Sequence, residues 1–112
     1  MRPESETALR HVLESAREIQ SLTGGKSLAD YEQDKHLRAI VERYFISIGE
    51  ALSRIGRHDP DLFQTIPGAR SIVGFRNVLV HGYDIVDEIQ IWSAVTDDLD
   101  PLVQSTRTLL GE

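Results

Sequence analysis

The stretch LRAIVERYFISIGEALSRIG, residues 37–56, carries apolar side chains at Leu37, Ile40, Val41, Tyr44, Phe45, Ile48, Leu52 and Ile55, with polar or small residues between them except at Ile46. Steps of three and four follow the 3.6-residue repeat of an α-helix, so the run reads as one long amphipathic helix, stopped at Gly56. A helix with a single apolar stripe needs other helices laid over that stripe.

The rest of the chain supplies them. Leu9, Val12, Leu13, Ala16 and Ile19 mark an earlier amphipathic helix that Gly24 and Gly25 end. Beyond Gly56, Asp59, Pro60, Asp61 and Leu62 predict a single-turn connector helix, and Pro67 and Gly68 break the chain again. Ile72, Val73, Phe75, Val78 and Leu79 open the next helix. From Asp87 to Leu110 a last segment puts Ile89, Trp92, Val95, Leu99, Leu102 and Val103 on one side, and Pro101 predicts a kink or break within it. The expected fold is all-α, an antiparallel up-and-down bundle of four main helices plus a short connector helix, as a single domain over residues 1–112.

Where the helix after Gly68 runs out, Arg76, Asn77, Val78, Leu79, Val80, His81, Gly82 and Tyr83 bring a guanidinium, an imidazole and a phenol together. At about 100° per residue, Tyr83 falls within roughly 20° of Arg76, whereas His81 lies about 140° round and about 7.5 Å along. On a straight helix Arg76 and His81 cannot share one reacting atom. Either the helix unwinds at Gly82 and swings His81 round, or the two groups meet across two copies related by a twofold axis. Asn77, four residues before His81, shares its face and could orient the ring.

These groups suit phosphodiester cleavage in RNA. A guanidinium stays charged and forks onto phosphate oxygens. An imidazole with a pKa of about 6.5 can take the 2′-hydroxyl proton or protonate the leaving oxygen, and that route requires no metal. By spacing alone, a surface ion-pair arginine and a histidine capping the helix end account for the same residues. Glu50, to one side of the long stripe, either pairs with Arg76 or Asn77 or stays solvated.

Composition constrains the alternatives. The chain has no cysteine, which removes disulfides and thiolate metal sites and makes the cytoplasm the default. Acidic Glu4 and Glu6 stand where a signal peptide would be apolar, and no run approaches a membrane span. The net charge of −6 opposes nonspecific nucleic-acid binding, DNA included, although Arg70 and Arg76, doubled in a dimer, could line a local basic groove. His11, His36 and His58 lack metal-ligand spacing and read as surface residues, and Asp97, Asp98 and Asp100 read as a solvated acidic face. Trp92, Tyr44 and Phe45 read as core. No cofactor is implied.

The Arg76-to-His81 spacing followed by Gly82 and Tyr83 resembles the R-x4-H-x-Y signature of the HepT-like branch of the HEPN superfamily. Ile48, Gly49, Glu50, Ala51 and Leu52 resemble that family's Ile-Gly-Glu-Ala segment, and Trp92, Val95 and Leu99 its last helix. The resemblance implies the toxin of a type VII toxin–antitoxin pair: a metal-independent endoribonuclease with its site at a homodimer interface. It further implies an MNT-type nucleotidyltransferase antitoxin that transfers AMP to the motif tyrosine. In this chain the catalytic roles fall on Arg76 and His81 and the modification on Tyr83. A non-catalytic partner or substrate subunit of a nucleotidyltransferase, and a plain dimeric interaction bundle, are the alternatives.

Overall fold

The computed structural model describes residues 1–81 and 87–112. The long stripe forms α3 (Lys35–His58), capped at its start by Asp34, whose side chain accepts from the Leu37 N–H at 3.0 Å. Its face of Leu37, Val41, Phe45, Ile48, Leu52 and Ile55 is buried, whereas Ile40 stays 43% exposed and Tyr44 is half-buried. The stripe read from sequence is therefore wider than the face the neighbours cover.

On one flank α3 packs against α1 (Pro3–Thr23), which opens with Pro3 and acidic Glu4 and Glu6. On the other it packs against α5 (Ala69–Val80), launched by Gly68 at φ 75, a left-handed conformation that favours glycine. The connector α4 (Pro60–Thr65) falls where Pro60 predicts it, N-capped by Asp59.

The last segment enters as α6 (Glu88–Ser93), widens into a π-helical turn at Ala94–Asp98, and continues as α7 (Leu99–Leu109), which lies on α1. The expected irregularity thus falls upstream of Pro101, which sits in the first turn of α7. There its missing N–H costs little, and the Leu99 N–H reaches the Ala94 carbonyl instead.

The result is an all-α antiparallel bundle with main helices α1, α3, α5 and the α6–α7 segment. The tightest packing runs α5 on α3, α3 on α1 and α1 on α7, within extents of 41 × 29 × 18 Å. A second connector, α2 (Leu28–Gln33), adds to the expected set. Its capping box joins Ser27 and Asp30, and the Ser27 N–H, followed by the Ser27 hydroxyl, holds the Asp30 carboxyl below its ordinary value. Tyr31 of α2 is fully buried against Trp92 of α6, ring centroids 5.3 Å apart. Among the described residues, no helix is long and apolar enough to cross a membrane.

Candidate functional site

The contact between α3 and α5 has its closest approach at Gly49. A β-carbon there would lie 2.3 Å from Cβ and 2.7 Å from Cγ of Arg76, so Arg76 is seated in a notch that only a hydrogen at Gly49 leaves open. Next to the notch, Glu50 turns its carboxylate toward the arginine, with Oε1 3.7 Å from Nη2. From α5 itself, Asn77 Oδ1 accepts from Arg76 Nη1 at 3.0 Å. Backbone shape, ion pair and hydrogen bond together fix a half-buried guanidinium, whose five N–H donors exceed what these partners take.

This geometry assigns Glu50 and Asn77 to Arg76. The Asn77 oxygen is on the arginine, one residue away, rather than aimed along the face it shares with His81. The role of Gly49 was not foreseen, because a notch depends on what packs opposite it. A small residue flanked by Ile48 and Ala51 in a buried stripe was its only local signal.

His81 closes α5. Its N–H donates to the Asn77 carbonyl at 3.1 Å, so the helical path continues to this residue, which is exposed. Arg76 and His81 therefore leave α5 about 140° apart, as the helical repeat requires. Gly82 and Tyr83, on which the unwinding and modification readings rest, lie outside the described residues. Arg70 is exposed near the start of α5, beside a separate hollow with Phe63 and Ile66.

Because α5 rests on α3, a groove of about 260 Å³ remains between α5 and the α6–π segment, lined by Ser71, Gly74, Phe75, Val78, Gln90 and Asp98, among others. Val78, Val80 and Ile89 are 37%, 43% and 61% exposed. Asp98 corrects the solvated-acid reading: it is half-buried, and burial, with Asp97 beside it, pushes its carboxyl above the ordinary value. Asp97 and Asp100 are exposed, as are His11, His36 and His58.

Residues 12–109 match the model of the family described as "Ribonuclease HepT-like". A Methanocaldococcus jannaschii protein named "Putative RNase MJ1380" is 32% identical over 91 residues, 81% of this chain and 83% of that protein. A second protein of the same organism, "Gamma-glutamylcyclotransferase and putative RNase MJ0434", is 28% identical over all of this chain and 50% of its own length. No solved structure matches the chain significantly.

Proposed function

Since the chain belongs to the HepT-like ribonuclease family, we propose that it is a metal-independent RNA endonuclease in which Arg76 and His81 carry the reaction. The observation that carries this reading is the seating of Arg76: Gly49, Glu50 and Asn77 fix the guanidinium while donors remain for a phosphate. Holding the non-bridging oxygens, Arg76 offsets the charge that builds at phosphorus. An imidazole at His81 removes the 2′-hydroxyl proton, the 2′-oxygen attacks, and the 5′-oxygen leaves with a proton, giving a 2′,3′-cyclic phosphate and a 5′-hydroxyl.

The two side chains diverge on one helix, and a twofold dimer brings His81 of one copy toward Arg76 of its mate. The exposed Val78, Val80 and Ile89 and the groove beside α5 favour such an interface. In this reading the chain is the toxin of a toxin–antitoxin pair. Its antitoxin, a nucleotidyltransferase, transfers the AMP moiety of ATP to the Tyr83 hydroxyl, the phenol oxygen displacing pyrophosphate from the α-phosphorus and losing its proton, which places an anionic phosphate in competition with RNA for Arg76.

The test is cleavage of a total RNA pool by purified protein in excess chelator, beside Arg76→Ala and His81→Ala of verified fold. Cleavage by the wild type that both variants lose supports the proposal. Failure of wild type whose intact mass excludes AMP on Tyr83 assigns the chain instead to a non-catalytic partner of the transferase, the role that the net charge of −6 favours.

A further inference from the structure

Between α1 and α3, on the side where Glu50 emerges, lies a cleft of about 340 Å³ lined by His11, Glu14, Ser15, Ser47, Glu50 and Arg54. Its volume is at the small end of ligand sites, on the scale of a single nucleotide. We propose that this cleft is a phosphate-binding subsite for the RNA strand, with Arg54 and His11 as its anion-holding groups. The proposal rests on the nuclease reading and extends it from the reacting residues to the path of the substrate.

Arg54 Nη2 donates to His11 Nδ1 at 3.5 Å, so a guanidinium and an imidazole from different helices meet in the cleft. Arg54 is half-buried, and among the described residues no carboxylate oxygen lies within 4 Å of its guanidinium. That is unusual for a charge partly removed from water, which ordinarily finds an acid. Acids are near: Glu14 and Glu50 line the same cleft, but Glu50 pairs with Arg76. An entering phosphate oxygen meets the remaining donors of the guanidinium fork, and the imidazole, whose Nδ1 accepts from Arg54, offers its Nε2–H as a second donor.

Glu50 links the subsite to the chemistry, because it both lines the cleft and holds Arg76. Arg54 follows it by four residues, about 6 Å along α3. In this proposal one strand lays a phosphate on Arg54 and His11 and another on Arg76, with Glu50 between the two. Glu14 and the Ser47 hydroxyl, which donates to the Arg43 carbonyl at 3.3 Å and keeps acceptor capacity, are left to accept from ribose hydroxyls and base N–H groups.

The experiment measures binding of a fluorescent, uncleavable 2′-O-methyl RNA across a salt series, and cleavage kinetics on the matched RNA. Wild type, Arg54→Gln, Arg54→Lys and His11→Gln are compared, each checked by circular dichroism. Arg54→Gln is expected to weaken binding about tenfold and to lower the slope of log K against log salt by about 0.7, the loss of one phosphate contact to a single strand. Its KM should rise by a similar factor with kcat held within about twofold, and Arg54→Lys should recover most of the salt slope. His11→Gln, at an exposed position, gives the same readout should Arg54→Gln not fold.

Wild-type cleavage with an unchanged salt slope and KM in both Arg54→Gln and His11→Gln overturns the subsite and leaves the nuclease reading standing. A lowered melting temperature without either change makes the pair a staple between α1 and α3 and likewise overturns it. Absence of RNA binding and cleavage in the wild type overturns both.

Discussion

Gly49 and Arg76 share a space in which only one of them can have a side chain. With a β-carbon at Gly49 placed 2.3 Å from that of Arg76, both atoms are fixed to helical backbone and neither can rotate away. Gly49→Ala must therefore push α5 off α3. The expected cost is about 1–3 kcal/mol of stability from overpacking, read by urea denaturation. Any RNase activity should fall by more than the unfolded fraction accounts for, because Arg76 moves with α5.

A site divided between two copies can be rebuilt from two dead ones. In an equal mixture of Arg76→Ala and His81→Ala chains, randomly paired dimers place an intact arginine and an intact histidine together at one of two sites in half the dimers. Activity should return to about a quarter of wild type after subunit exchange. A mixture as inactive as its components would instead put both groups in one copy.

Val78 is 37% exposed at the groove beside α5, where a second copy would seat. If the proposed dimer forms, Val78→Arg should yield a monomer by light scattering at concentrations where the wild type scatters as a dimer. Its helical content should be unchanged, since the side chain contributes little to the core, and cleavage should be lost with the dimer.

Glu42 gives a pH signature. Burial raises its carboxyl above the ordinary 4.5, with Arg38 opposing the shift and Glu88 adding to it. The folded state therefore favours the protonated acid. The associated stability is fully present below the unfolded value and is lost as pH rises through the folded one. Glu42→Gln should melt higher than wild type at neutral pH, and the difference should shrink as pH is lowered toward 4.5, followed by thermal melts in a pH series.

The helices that could be read in advance are those whose burial is one-sided and long. α1 and α3 declare themselves because core residues recur at every turn of 21- and 24-residue helices. α2 was passed over because six residues are too few to show a period, although Ser27 and Asp30 spell its cap. Ile40 and Ile89 were assigned to buried faces because periodicity marks which side a residue occupies without marking how far the neighbouring helix reaches. For the same reason Glu50 could be named as a possible partner of Arg76, but the notch at Gly49 could not. One is a matter of charge on a face, the other of the distance between two backbones.

The uneven burial of the helices bears on how the molecule comes apart. α3 is covered on both flanks and α7 buries Leu99, Leu102, Val103 and Thr106, but α5, which carries Arg76 and has His81 at its C-cap, buries only Ala69 and Ile72. Sub-global opening should release it first, while α1, α3 and α7 keep their shared core. Amide exchange along α5 should then outrun that along α3, and mild denaturant should silence activity before helical circular dichroism falls. If α5 carries the reaction as proposed, the reacting residues sit on the least buried of the main helices, and activity and foldedness are separable quantities.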